Sequence, residues 1–352
     1  MTVLYIIVAI LIFGVLIAIH EFGHFTAAKL CGVKVEEYSI GMGPALWKKQ
    51  KGETLYALRA LPFGGYCAMT GEDGNSDDPR AFNNQKWWKR LIILVAGSFM
   101  NFVLGFLIVV IVFADAQAFR TAIISGFMEG CPYESEEGLH VGDRIYSIDG
   151  HRIYQTGDVS DFLGQGDGVY DFVVVRDGKK VRLDGFGFEP LEYPGYENKM
   201  YGIYFGYEEA TAAVKLRCSW ETTMEFGRWV WMGLKQLVSG GVEVADMAGP
   251  VGIVDLMAET GSQAESVKDG ISDVLYIGAF IAVNLAIMNM LPIPALDGGR
   301  VFALIVTGII ELIIGKRVDS KYEGYINAAG MILLLGLMAV IMFFDVVRII
   351  KR

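Results

Sequence analysis

The sequence predicts a polytopic α-helical membrane protein with four transmembrane helices, a membrane-associated β-hairpin region and an inserted extracytoplasmic β-rich domain. Three observations carry that reading. Hydrophobic residues make up 53% of the 352, and mean hydropathy is +0.41. Four stretches, roughly Leu4–Leu30, Leu91–Ala114, Val274–Leu296 and Ala328–Phe344, each approach the ~20 apolar residues that cross a bilayer. Between the second and third lies an acidic, turn-rich segment. Residues 115–272 hold 26 acidic and 13 basic side chains, whereas the rest of the chain holds 14 and 17.

The first element, residues 1–32, opens with Val3–Ile19, seventeen residues without a charge. It resembles a signal peptide but lacks a basic start and a small-residue cleavage site, so it reads as a retained span. Its end is His20-Glu21-Phe22-Gly23-His24, the H-E-x-x-H pattern of zinc peptide hydrolases. Residues i and i+4 share a helix face, so both imidazoles can point at one ion. Glu21 can then reach a water on that ion. A catalytic zinc takes three protein ligands and leaves a position for water. The plainer alternative is two histidines packed inside a bundle. Ionisable residues in a spanning helix are costly and mostly functional, which favours the metal.

Residues 33–90 form a β-rich loop. Val35–Ile40 and Thr54–Arg59 alternate like strands, and Gly41, Gly43-Pro44 and Gly64-Gly65 read as turns. The sharper expectation is a sheet beside the site, dipping into the membrane where protein shelters its backbone. This loop carries Lys48, Lys49, Lys51, Lys86, Lys89 and Arg90, so positive-inside logic puts it in the cytoplasm. The N-terminus and the acidic segment then lie outside. The C-terminus does too, although Arg348, Lys351 and Arg352 disagree mildly. In the second span, 91–115, Gly97 and Asn101 share a face, a pattern of close helix packing and cross-helix bonding.

Residues 116–210 read as a compact β-rich domain. Gly142-Asp143-Arg144-Ile145-Tyr146-Ser147-Ile148-Asp149-Gly150 is a turn, a strand and a tight Asp-Gly turn; Asp171–Lys179 is a further strand and hairpin. This run resembles PDZ domains, whose usual work is to hold an extended peptide by strand addition. Gly126-Phe127 is a candidate for the loop that holds a carboxylate; an inert spacer is the alternative. His140 and His151 read as surface histidines. In 211–272, Trp220, Met224, Trp231, Leu234 and Val238 recur at helical spacing, with Trp229 beside them, which suits a helix at the membrane surface. Gly249-Pro250-Val251-Gly252 breaks it before the next helix. Cys31, Cys67, Cys131 and Cys218 are scattered, without a CxxC pair, so they indicate neither a zinc ribbon nor a disulfide framework.

The third span, 273–300, ends in Asn289-Met290-Leu291-Pro292-Ile293-Pro294-Ala295-Leu296-Asp297-Gly298-Gly299. Two prolines break regular helix, and broken backbone at membrane depth is tolerated where it lines a cavity. Asp297 is then a carboxylate in need of a partner, and zinc would be one; a helix-terminal surface Asp is the alternative. A cytoplasmic-side helix and loop, 301–327, leads to the fourth span, 328–352. Counting spans tests the pairing: the inner end of the first and the inner end of the third reach the same membrane face.

Together these motifs resemble the site-2 protease family of intramembrane zinc metallopeptidases, the bacterial RseP-type branch in particular. The carrying residues are His20, Glu21 and His24, the N-x-x-P-x-P-x-L-D-G-G stretch from Asn289 to Gly299, and the PDZ-like insertion between spans two and three. The resemblance covers nearly the whole chain. It implies one zinc per chain on His20, His24 and Asp297, with Glu21 as the catalytic carboxylate. It also implies Asn289, Pro292 and Pro294 beside the substrate, and Gly97, Asn101, Gly298 and Gly299 as structural residues near the site. The family often shows G-P-x-x-N in its second span; here the run is Gly97-Ser98-Phe99-Met100-Asn101, without the proline. Many relatives have two PDZ domains, and only one fits between Ala116 and Ala210.

The function expected is cleavage of transmembrane segments, such as a membrane-bound anti-sigma factor or remnant signal peptides, in a bacterial inner membrane. The expected partners are a transmembrane substrate, the bilayer and a peptide ligand of the PDZ-like domain. The acidic domain argues against nucleic acid. A non-catalytic membrane adaptor presenting the PDZ-like domain is the rival, and Glu21 argues against it, since a purely structural metal needs no general base. A transporter would call for paired broken helices in two repeated halves, and only one such helix appears.

Overall fold

The computed structural model describes all residues except 1, 73, 75, 165, 242–247, 315–320 and 352. Arg352 and part of the 301–327 loop therefore lie outside the described residues. The chain divides into two compact units, Met1–Val112 with Phe226–Arg352, and Phe113–Glu225.

The first unit is helical. Four of its helices are long and apolar enough to cross a membrane: α1 (Thr2–Cys31), α2 (Trp87–Val112), α6 (Val267–Met288) and, over Gly324–Arg348, α8 (Lys321–Lys351). Tyr5, Ala9, Ile12 and Leu16 form one buried face of α1, packed on Met257 and Ala258 of α5 (Pro250–Gln263) and on Val274, Ile281 and Ala282 of α6. The opposite face, Val3, Ile7, Leu11 and Val15, is exposed and wholly apolar. Such a face is what a lipid solvent asks of a helix whose backbone bonds are all internal. Asp345 of α8 is fully buried and accepts from the backbone N–H groups of Gly249 (3.1 Å) and Gly252 (2.9 Å), capping the start of α5.

Two expectations are corrected here. The third span does not run to Leu296: α6 stops at Met288, with Asn289 as its C-cap. Residues 290–296 are irregular and a new helix, α7 (Asp297–Ile314), begins at Asp297. Asp297 therefore opens a helix and does not close one. The prolines explain the break, since neither can continue the ladder of i to i−4 bonds.

The second correction concerns residues 33–69, which form two long strands, β1 (Val35–Lys51) and β2 (Thr54–Met69). Gly41, Gly43-Pro44 and Gly64-Gly65 lie inside these strands, not in turns. Glu37–Ile40 pair with Gly65–Ala68 on one side and with Leu55–Leu58 on the other, and Leu55–Leu58 pair in turn with Trp47–Gln50. Segment 65–68 is thus an edge of this sheet. The Tyr38 hydroxyl donates to the carbonyl of Ala18 (3.0 Å), tying the sheet to α1 two residues before His20.

The second unit carries strands β3 (Ala118–Phe127), β4 (Arg144–Ile148), β5 (His151–Arg152), β6 (Val169–Arg176), β7 (Lys179–Gly187) and β8 (Ile203–Glu209). Their order is β7-β6-β4-β3-β8, with β5 paired to β4. Ile124, Leu139, Ile145, Ile148, Ile153, Phe172, Val174 and Phe188 form the core, with the short helix α3 (Thr156–Leu163) contributing Val159 and Leu163. Asp149-Gly150 and Asp177-Gly178 take positive φ at both positions, the type I′ geometry that joins twisted strands. Asp143 of the Gly-Asp-Arg run is fully buried and holds Arg176 through two hydrogen bonds (2.8 and 2.7 Å), while accepting from the His140 N–H. Gly126-Phe127 is strand, not loop: the two residues pair with Tyr204 and Ile203 of β8, and Phe127 packs on the core. His151 is exposed and stacks on Phe162. The helix expected from Trp220 starts earlier, as α4 (Ala212–Val238), with Trp220 and Trp231 exposed.

Candidate metal centre

Three short features of the first unit converge. Successive turns of α1, roughly three and two turns before its end at Cys31, supply His20 and His24, the first residue of α7 supplies Asp297, and the middle of α2 packs against both histidines. Their donor atoms form a nearly equilateral triangle. His20 Nε2 and His24 Nε2 are 3.2 Å apart, and each is 3.2 Å from Asp297 Oδ2. Three ligands at the usual ~2.0 Å on a tetrahedral zinc would be spaced by about 3.3 Å, with the fourth corner free. Asp297 Oδ2 is buried yet makes no hydrogen bond of acceptable geometry. Two imidazoles and a carboxylate are a donor set that suits zinc. The residues present therefore fit the ion.

The surroundings prepare the donors. His24 Nδ1 lies 2.8 Å from the carbonyl of Ile93, an arrangement that puts the ring proton on Nδ1 and leaves Nε2 with its lone pair. Gly97 sits one turn further along α2. A Cβ there would run into His24 Nε2 and come within 2.8 Å of His20 Cε1. Only glycine lets α2 approach this closely. Gly298 and Gly299 play the same part at the other ligand: a side chain on either would enter the backbone of residues 290–294. The Gly298 N–H donates to the carbonyl of Asn289 (2.7 Å), which folds the irregular stretch back on the start of α7.

A cavity of about 480 Å³ opens on this triangle. It is lined by Glu21, Tyr66, Cys67, Glu72, Asn289 and Arg300, besides His20, His24 and Asp297. Glu21 stands against the sheet edge, where a Cβ on Gly65 would be 3.1 Å from its Cγ. Burial pushes the Cys67 thiol up. Glu72 and Arg300 form an ion pair at the cavity wall. Of the residues expected beside a substrate, Asn289 lines the cavity. Pro292 is exposed, and Pro294 backs onto Gly330 of α8; Ala295 and Leu296 take the lining positions. Sequence reasoning missed the Ile93 carbonyl, a backbone group that leaves no mark in the sequence. It also took Gly64-Gly65 for a turn, when the glycine serves close approach to Glu21.

The model of peptidase family M50 matches residues 8–337. The chain belongs to peptidase family M50. Within the family it is similar to a protein of Clostridium perfringens assigned as a zinc metalloprotease, 35% identical over 98% of this chain and 99% of that one. A protein of Clostridium acetobutylicum with the same assignment is 37% identical over 97% of both chains. The regulator of sigma-W protease RasP of Bacillus subtilis is 26% identical, again over 97% of both. Members of this family are peptidases, so the cavity lies in a hydrolase of peptide bonds.

Proposed function

We propose that the chain is an intramembrane zinc metalloendopeptidase that cuts transmembrane segments of other membrane proteins. That it is a metalloendopeptidase follows from its family. The observation that supports the finer reading is the 3.2 Å triangle of His20, His24 and Asp297, built on a helix apolar enough to span and facing a cavity that also holds Glu21. One zinc per chain, held by those three residues, would lower the pKa of a water and polarise the scissile carbonyl.

The chain's own groups do the rest. Glu21 accepts the proton of the attacking water and hands it to the amine as the C–N bond breaks. A transmembrane substrate must first unwind, because its amides are tied in its own helix. The edge segment 65–68 offers main-chain partners to the unwound stretch, beside Glu21. Asn289 takes a further freed backbone group. The second unit is a single PDZ-like domain that selects substrates by their outer parts. Its open sheet edges belong to β7 and β8, and β8, with Tyr204 and Tyr207 exposed, is the edge for a peptide ligand.

The enzyme sits in a bacterial cytoplasmic membrane as a multi-pass protein. Lys48, Lys49 and Lys51 support an orientation with the β1–β2 sheet and the metal centre toward the cytoplasm and the PDZ-like domain outside. The name of the Bacillus subtilis relative, a regulator of sigma-W, supports a membrane-bound anti-sigma factor as substrate class, with remnant signal peptides as a second. The test uses the full chain in detergent with a transmembrane reporter. Glu21→Gln should keep one zinc and lose cleavage; normal turnover by that variant overturns the assignment of Glu21.

A further inference from the structure

His24 has a partner for its Nδ1, but the metal reading gives none to His20. A histidine ligates through a nitrogen that carries no proton, and the bond made by the other nitrogen decides which one that is. For His20 the neighbouring group is Asn101, on α2, buried to 1% exposure. The Asn101 side-chain nitrogen lies 3.3 Å from His20 Nδ1, and Asn101 Oδ1 is buried without a hydrogen-bond partner.

That orientation conflicts with metal binding. An NH₂ group donating to Nδ1 forces the ring proton onto Nε2, the nitrogen that faces Asp297. It also orphans a buried carbonyl oxygen, at a cost of roughly 1–3 kcal/mol. The two ends of a side-chain amide have the same shape, and the hydrogen-bond network decides which one faces the ring. Turning the amide by 180° resolves both conflicts. Oδ1 then accepts from Nδ1–H, and Nε2 keeps its lone pair.

The spacing on α2 supports this pairing. Ile93, Gly97 and Asn101 are four apart and share a face. Opposite them stand His24 and His20, also four apart, with α2 antiparallel to α1. The Ile93 carbonyl serves His24, Gly97 makes room for both rings, and Asn101 meets His20.

We propose that Asn101 is a positioning residue for the metal centre, its Oδ1 accepting from His20 Nδ1–H and so holding His20 in the tautomer that ligates through Nε2. This rests on the reading of His20, His24 and Asp297 as zinc ligands. A plain packing role for Asn101 would require only its volume.

The experiment measures zinc affinity of the full chain in detergent, by competition with a chromophoric chelator. Wild type, His20→Ala, Asn101→Ala and Asn101→Asp are compared, each checked by thermal melting of its zinc-free form. Asn101→Ala removes atoms only and should weaken zinc 10–100-fold, as loss of a group supporting a ligand does. Asn101→Asp keeps an oxygen acceptor at the same place and should restore wild-type affinity. Wild-type affinity in Asn101→Ala overturns the proposal, as does an Asp variant that falls as far as Ala. If the wild type takes up no zinc, or His20→Ala binds it equally well, the metal-centre reading itself fails. Those results are distinct from a loss confined to the role of Asn101.

Discussion

Gly97→Ala is the sharpest perturbation the metal centre allows, because it adds one methyl group and changes no ligand. The new Cβ would lie 2.7 Å from His24 Cε1 and 2.8 Å from His20 Cε1, against ordinary contacts of 3.4–4 Å, and it would collide with His24 Nε2. The His20 ring must retreat by roughly 0.6 Å and the His24 ring by more, at least about three times the ~0.2 Å tolerance on ligand distances in a metal site. A displacement of that size should weaken zinc about 100-fold, or ~2.7 kcal/mol. It should also cost ~1–3 kcal/mol of stability through overpacking. Gly105→Ala is the control on the same helix. Its Cβ would come 2.8 Å from Val283 Cγ2, so it overpacks an interface of α2 with α6 and leaves the histidines alone. Zinc competition and reporter cleavage are measured for both variants. Gly97→Ala should lose both properties, while Gly105→Ala loses only stability. Equal zinc affinity in Gly97→Ala and wild type would refute the claim that glycine is there to seat the two imidazoles.

Four further outcomes follow from named contacts. Asp297→Asn keeps the shape of the third ligand and removes its charge, and should reduce zinc content of the purified chain well below one per molecule. Asp143→Ala leaves the half-buried Arg176 without its carboxylate partner and should destabilise the second unit by about 2 kcal/mol, read by thermal melting. Asp345→Ala orphans two backbone N–H groups at the start of α5, worth about 1–2 kcal/mol as a lost cap. A fourth concerns pH. Burial alone would raise the Glu37 carboxyl, but hydrogen bonds with Arg59 and Tyr66 outweigh it and hold it below the ordinary carboxylate value. That contribution is present above the ordinary value, roughly pH 4.3, and fades as pH falls below it. Protease sensitivity of the β1–β2 sheet should therefore rise on acidification, and Arg59→Ala should flatten that dependence.

The convergence of His20, His24 and Asp297 was legible because it follows from their spacing. Positions i and i+4 on an apolar helix, and an aspartate after a proline-broken helix end, leave little else for such side chains to do. The long helices were legible for the same reason, since a bilayer demands uninterrupted apolar length. What escaped the sequence depends on approach between elements distant in the chain. Gly65 looks like any turn glycine until Glu21 is placed against it. The Ile93 carbonyl belongs to every residue equally, and only the docking of α1 on α2 selects it. The end of α6 was misplaced by eight residues, at Leu296 in place of Met288. Apolarity continues through the prolines after the helical bonds have stopped, and hydropathy registers only the former.

The cap on α5 carries a consequence for the order in which the molecule is completed. The amides of Gly249 and Gly252 find their acceptor in Asp345, nearly a hundred positions later in the chain. During synthesis the first turn of α5 stays without this cap until α8 has been made. α8 is thus more than an apolar helix long enough to span. A chain that stops short of Asp345 lacks the acceptor that seals the first turn of α5.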